Sequence, residues 1–151
     1  VNLSKDVYYG RTMMAAAVAA HECGHAVQHA KNYAPVQLRS ALVPVVQFSS
    51  QIVTFVLLAG ILVVQTFPAL MIAGIALFAM TTLFSFVTLP VEVDASSRAL
   101  AWLKHTSNND SNTMTAAQDA LKAAAYTYVV AAVSSLGTLV YYIMIFLSRR
   151  R

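Results

Sequence analysis

Two long stretches without an ionisable side chain constrain this fold more than any other feature of the sequence. Residues 40–91 contain no Asp, Glu, Lys, Arg or His, and neither do residues 123–148. A helix needs about 20 mostly apolar residues to cross the roughly 30 Å hydrocarbon core of a bilayer. The first stretch is long enough for two such helices, with Pro68 as a natural break. The sequence therefore predicts transmembrane helices at 43–67, 69–88 and 124–147.

The composition of the whole chain agrees with a membrane protein. Hydrophobic residues make up 58% and charged residues 11%, against roughly 25% charged residues in typical soluble proteins. A buried hairpin in a soluble protein is the alternative, but the rest of the chain is too short to surround three such helices. The net charge of +4 comes without a dense basic patch interleaved with aromatics, so nucleic-acid binding is not indicated.

A motif with metal-binding spacing lies ahead of the first predicted span, in "AVAAHECGHAVQHAKNY", residues 17–33. His21 and His25 are four residues apart, so a helix places both imidazoles on one face, one turn apart. Glu22 stands where its carboxylate can reach a water on the same ion. This is the H-E-x-x-H pattern of zinc peptidases, with two histidine ligands and a glutamate as general base. The alternative is a solvated helix face, which an alanine-rich, poorly charged helix beside membrane spans does not favour.

A third ligand must come from elsewhere in the chain. His29 lies about 12 Å along the helix axis from His21, at a rise of about 1.5 Å per residue, so both cannot bind one ion. The extended motif H-E-x-x-H-x-x-G-x-x-H also fails, because Gln28 and Lys31 stand where Gly and His are required. We therefore interpret His29 as a surface residue or as one that supports a ligand.

Glu92 is the better candidate, as the second of only two glutamates in the chain. The predicted hairpin returns the chain to the membrane side on which the histidine helix lies, and Glu92 follows the second span at once. Two histidines and one glutamate with an open fourth position form a catalytic rather than a structural zinc site. A carboxylate stabilising a helix N-terminus is a compatible alternative.

Three of the residues that follow Glu92 in the sequence could support the ligands. Ser96 shares a helix face with Glu92 and could contact a ligand. Asp94 and Arg98 are four apart and could simply pair with each other. Asp94 could instead orient a zinc-bound histidine through its second ring nitrogen, and both interpretations stay open.

Together these patterns predict a mainly α fold, an integral membrane helical bundle with about three transmembrane helices and an H-E-x-x-H zincin-like helix pair. We interpret residues 1–151 as one membrane-embedded domain, and we expect further N-terminal sequence to precede it, since "VNLS" resembles the end of a β-strand. Its expected parts are an H-E-x-x-H helix region (1–42), a transmembrane hairpin (43–89), a helix entered at Pro90 with a polar loop (90–122) and a third transmembrane helix (123–148).

The chain also resembles a known family in two blocks, "LSKDVYYGRTMMAAAVAAHECGHAVQHAKNYAPVQLRSALVPV" and "TLPVEVDASSRALAWL". Both are similar to the bacterial membrane-bound neutral zinc metallopeptidases of the YugP type, which are gluzincin-like. The resemblance implies one zinc ion per chain on His21, His25 and Glu92, with Glu22 as catalytic base. In many gluzincins an Asp stands four residues after the ligand Glu. Here that position is Ser96, so the resemblance does not identify the acid that orients a histidine.

The expected function is hydrolysis of peptide bonds in a peptide or protein substrate, at a lipid bilayer. A catalytically inactive zinc-binding scaffold is the alternative, but a structural site has no need of Glu22. A metal transporter is disfavoured because its permeation path would normally need ionisable residues within the spans. About five Lys or Arg near span ends on the site's side, against three at 149–151, predict a site on the cytoplasmic side, and the resemblance implies a bacterial inner membrane. The oligomeric state stays open.

Overall fold

The computed structural model describes residues 1–106 and 111–149, and these residues form helices without any β-strand. The helices are α1 (Lys5–Tyr8), α2 (Met13–Ala30), α3 (Ala34–Val63), α4 (Pro68–Thr106) and α5 (Ser111–Arg149). Within the described residues three segments are long and apolar enough to cross a membrane, Ala34–Val63, Pro68–Thr106 and Met114–Arg149. The predicted mainly α fold with three candidate spans is confirmed.

Hydrogen bonds at its two ends fix the limits of α2, the helix that carries the histidines. Thr12 caps its N-terminus, because its side-chain oxygen accepts the N–H of Ala15 at 3.1 Å. At its C-terminus Asn32 adopts a left-handed backbone with φ of 50°, which asparagine tolerates better than most residues. The N–H of Asn32 then donates to the His29 carbonyl and that of Tyr33 to the Gln28 carbonyl, as in a Schellman motif. This tight ending lets α3 begin at Ala34.

The strand expected in the first four residues and the expected limits of the first long helix are wrong. The residues "VNLS" do not form a strand. Ser4 instead caps α1 by accepting the N–H of Val7 at 3.3 Å. The helix of the first span was predicted at 43–67, whereas α3 begins at Ala34 and ends at Val63. Pro35 does not prevent this early start, because the first turn of a helix does not need its N–H.

The helix predicted to begin at Pro90 is instead the second half of α4, which passes through Pro90 without a break. A proline inside a helix removes one hydrogen bond, at a cost of about 3 kcal/mol. Val91 and Ala95, which follow it, are completely buried, and the packing of this segment offsets that cost. Helix α5 begins at Ser111, inside the predicted polar loop, and residues 107–110 of that loop lie outside the described residues.

The chain forms two compact units, and the first comprises Val1–Gln37 and Thr88–Val129. Its core joins α2 to the parts of α4 and α5 within this unit and consists mainly of alanine. The buried residues are Ala17, Ala20, Ala99, Leu103, Ala117 and Leu121, with Met13, Ala16, Leu100 and Met114 packed against them. Small side chains let helix backbones approach closely, so this core holds α2 near α4.

The second unit comprises Leu38–Val87 and Val130–Arg151. Its buried cluster is formed by Val53, Leu57, Val64 and Met71. Gly60 allows a close helix contact, since a Cβ atom there would lie 2.8 Å from the Met71 Cα. Other large apolar side chains point outward, such as Leu62 at 84% exposure. Outward apolar side chains of this kind suit a helix that faces lipid.

Candidate metal centre

Three potential metal ligands from α2 and α4 converge in the first unit. His21 and His25 lie on successive turns of α2, and the Glu92 carboxylate of α4 faces both rings. Glu92 Oε2 is 3.2 Å from His21 Nε2 and 3.6 Å from His25 Nε2. One ligand atom of each residue lies within 4.8 Å of the others. Glu92 is 3% exposed, so its carboxylate is shielded from water and lies against the two rings.

The second nitrogen of each imidazole is held by a neighbouring side chain. His21 Nδ1 lies 3.1 Å from the Ser96 hydroxyl, and His25 Nδ1 lies 3.0 Å from Gln28 Oε1. With Nδ1 engaged in this way, both rings present Nε2 to the Glu92 carboxylate. Outer hydrogen bonds of this kind orient metal-binding histidines in proteins.

The electrostatics of the site favour a cation between the rings. The Glu92 carboxylate raises the pKa of His25 above its ordinary value, because the carboxylate stabilises the protonated ring. Partial burial of the imidazole opposes this shift but does not cancel it. The same negative charge attracts a metal cation, which would compete with that proton because a histidine must give up the proton on the nitrogen that binds the metal.

Gly24 brings the two halves of the site together. It lies between the two histidines on α2 and is buried against α4. A Cβ atom at this position would lie 2.7 Å from the Ala95 carbonyl oxygen. Any larger residue would therefore push α2 away from the segment of α4 that carries Glu92.

Glu22 lines a cavity beside the same group. The cavity has a volume of about 190 Å³, and His21, Glu92 and Ser96 share its wall with Glu22. The rest of the wall is mainly apolar and consists of Val18, Leu121, Ala124, Ala125 and Tyr128. The cavity thus combines an acid and two metal-ligand candidates with a surface suited to an apolar group.

Comparison with known proteins places this chain in a family. The family described as "Putative neutral zinc metallopeptidase" matches residues 1–147. The chain belongs to this family. A relative, "Putative membrane protease YugP" of Bacillus subtilis (strain 168), is 42% identical over 150 residues, which are 99% of this chain and 66% of the relative. The chain thus spans just under two thirds of that relative's length, and no solved structure matches it.

The family's description names zinc, and the donor atoms of His21, His25 and Glu92 suit this ion. Zinc in a tetrahedral site binds imidazole nitrogen and carboxylate oxygen at about 2.0–2.2 Å. Two donors of such a site are therefore about 3.3 Å apart, a value derived from those bond lengths. The distances from Glu92 to the two histidines, 3.2 and 3.6 Å, agree with this value.

The sequence also suggested residues that could support the ligands. Of these, Ser96 contacts His21 directly. Arg98 Nε donates to Asp94 Oδ2 at 2.6 Å, so these two residues pair. The same Asp94 oxygen accepts a hydrogen bond from Gln28 at 2.8 Å, and Gln28 in turn contacts His25. His29 is exposed and is not part of the group of three potential ligands found among the described residues.

Sequence reasoning missed Gln28, which it treated only as a mismatch to a longer zinc motif. Gln28 is completely buried and contacts His25, Asp94 and the Val91 carbonyl. The position of Gln28 in the sequence could have identified it. It lies three residues after His25, on the same helix face, in a helix otherwise rich in alanine.

Proposed function

We propose that the protein is a zinc-dependent membrane-bound endopeptidase, which hydrolyses peptide bonds through a metal-activated water. The observation that carries the proposal is the convergence of His21, His25 and Glu92 beside a cavity that Glu22 also lines. Membership in a family described as a zinc metallopeptidase supports the same reaction class. One zinc ion per chain would be held by the two Nε2 atoms and the Glu92 carboxylate.

The two glutamates have different surroundings and therefore different proposed roles. Zinc, when bound, lowers the pKa of a water toward about 7 and polarises the scissile carbonyl. Glu92 is nearly inaccessible and lies against both rings, which suits a ligand. Glu22 is half-buried in the cavity wall, where it can take a proton from the attacking water. It would then pass that proton to the amine as the peptide C–N bond breaks.

The alternative of an inactive zinc-binding scaffold is less consistent with this arrangement. A structural zinc site is closed by four protein ligands, whereas a catalytic site has three and keeps one position open. The group found among the described residues has three ligands, and a cavity adjoins it. A scaffold would not need an acid in that cavity wall.

The part of the apolar cavity wall that comes from α5 is where we propose that the substrate binds next to the scissile bond. Ala125→Phe places a large ring in this space, so we expect peptide cleavage to fall by about 10²-fold, since small misplacements of reacting groups have effects of this size. Zinc content should not change, because no ligand is touched. Cleavage of a quenched fluorescent peptide by purified protein in nanodiscs measures the effect.

A matched control exists two residues away. Ala123 is exposed and is not among the residues that line this cavity, so Ala123→Phe adds the same ring without filling the cavity. We expect Ala123→Phe to cleave at nearly the wild-type rate. Equal rates for the two variants would mean that the substrate binds elsewhere.

We also propose a location in the bacterial inner membrane, with the active site on the cytoplasmic side. The support is the distribution of Lys and Arg near the span ends, which is richer on the side of the site. Cys23 is exposed on α2 and reports the side directly. A membrane-impermeant maleimide should label it in inverted vesicles but not in intact spheroplasts, with Cys23→Ser as the blank. The reverse pattern would place the site outside.

A further inference from the structure

The buried side chain of Gln28 is held in one orientation by its neighbours. Its Nε2 donates to the Val91 carbonyl oxygen and to Asp94 Oδ2, both at 2.8 Å. An amide nitrogen has two N–H groups, and both are used here on groups that accept. Turning the amide over would place Oε1 against two acceptors. Gln28 Oε1 must therefore face the other way, toward His25 Nδ1 at 3.0 Å.

This orientation determines which nitrogen of His25 carries the proton. An amide oxygen can only accept, so His25 Nδ1–H donates to it. Glu92 Oε2 is the acceptor on the other side of the ring, but it is 3.6 Å from Nε2, against 3.0 Å between Nδ1 and Gln28 Oε1. In the neutral ring the proton therefore stays on Nδ1, and Nε2 keeps its lone pair on the side of Glu92. A metal ligand needs this tautomer and this ring orientation.

Asp94 and Arg98 extend this hydrogen-bond network beyond Gln28. One oxygen, Asp94 Oδ2, accepts from both Gln28 Nε2 and Arg98 Nε, at 2.8 and 2.6 Å. The ion pair between Asp94 and Arg98 therefore keeps that oxygen pointed at the Gln28 amide. The contacts run in series from Arg98 through Asp94 and Gln28 to His25. His21 has a separate partner, Ser96.

We propose that Gln28 is a positioning residue, which fixes the ring orientation and tautomer of His25 for zinc binding. Asp94 and Arg98 act on His25 only through the Gln28 amide. This proposal rests on the proposed function to the extent that His25 is taken as a zinc ligand.

The first test reads the tautomer in metal-free protein, without any assay of activity. Nitrogen-15 NMR of histidine-labelled protein at alkaline pH, where the ring is neutral, should show His25 protonated at Nδ1 in the wild type. Gln28→Met keeps a similar length but has no amide, so the Nε2-protonated form should become populated. A His25 tautomer that is the same in Gln28→Met and wild type would overturn the proposal.

The second test is a double-mutant cycle on zinc affinity, measured by competition with a chromophoric chelator. Losing an outer partner of a metal ligand costs about 10- to 100-fold in affinity, and we expect this loss in Gln28→Met. Asp94→Ala should weaken zinc binding in the wild-type background but not further in Gln28→Met, because its effect passes through Gln28. Ser96→Ala should weaken zinc binding equally in both backgrounds. An undiminished effect of Asp94→Ala beside Gln28→Met would show that Asp94 acts by another route.

If Gln28→Met does not fold, two substitutions at half-buried Asp94 test the proposed role of Gln28 instead. One oxygen of Asp94 accepts both hydrogen bonds, so the single carbonyl oxygen of Asp94→Asn should preserve the tautomer and most of the zinc affinity. Asp94→Ala should lose both, and equal behaviour of the two variants would contradict the proposal. If the wild type binds zinc but cleaves no peptide, the proposed function fails while the results on Gln28 keep their meaning.

Discussion

Replacing Glu22 with glutamine should nearly abolish peptide cleavage while zinc remains bound. Glutamine has almost the same size and shape but cannot take a proton from water. Removal of a general base typically costs about 10²- to 10⁴-fold in rate, and we expect a fall of kcat within or beyond this range. Zinc affinity should stay near the wild-type value, because the three proposed ligands are His21, His25 and Glu92.

Two measurements on the same preparation test this prediction. Cleavage of a quenched fluorescent peptide gives kcat, and elemental analysis gives zinc per chain. Asp119→Asn is a suitable control, since it neutralises an exposed acid of the same unit and should leave both quantities unchanged. Undiminished cleavage by Glu22→Gln would remove Glu22 as the base. Loss of zinc in that variant would instead make Glu22 a ligand.

The second large effect is expected for Glu92→Gln, which should release zinc. The carboxylate lies 3.2 and 3.6 Å from the two Nε2 atoms and supplies negative charge in a nearly inaccessible position. A neutral amide keeps the volume but loses the charge that stabilises a dication. Zinc affinity should fall by more than the roughly 10- to 100-fold expected for losing an outer partner, and cleavage should fall with it.

Asp94→Asn is the matched control for Glu92→Gln. It makes the same chemical change two residues away on α4, at a residue that contacts Gln28 and Arg98. We expect it to keep most of its zinc affinity. Competition with a chelator compares the two variants directly. If Glu92→Gln binds zinc as tightly as Asp94→Asn, Glu92 is not the third ligand.

Features that follow from local pattern and composition were predictable from the sequence. Three apolar spans follow from stretches without charge, and the pairing of His21 with His25 follows from helical periodicity. The nomination of Glu92 needed one further step, the return of the chain through a hairpin. Its position beside both histidines agrees with that nomination.

Helix boundaries were less predictable, because proline is only a local signal. Pro90 indicated a helix start, yet α4 continues through it. The lost hydrogen bond is offset by packing of the residues that follow, among them Val91 and Ala95. Such packing depends on which helix lies alongside, and a single sequence does not contain this information in readable form.

The supporting contacts of the site were the least predictable part. Gln28 meets Val91 and Asp94 across more than 60 residues of chain, and the rotation of α4 about its axis decides which of its residues face α2. The sequence left open whether Asp94 pairs with Arg98 or orients a histidine. In the structure Asp94 contacts both Arg98 and Gln28, and the link to His25 depends on a buried amide that has no motif of its own.

Stepwise return of zinc to metal-free wild-type protein, with peptide cleavage followed at each addition, tests the proposed zinc peptidase most directly. We predict no cleavage without zinc, a linear rise, and a plateau at one zinc ion per chain. The same titration of Glu22→Gln should show binding of one zinc ion without cleavage. Cleavage that persists in metal-free wild-type protein, or full zinc binding without any cleavage by the wild type, would contradict the account.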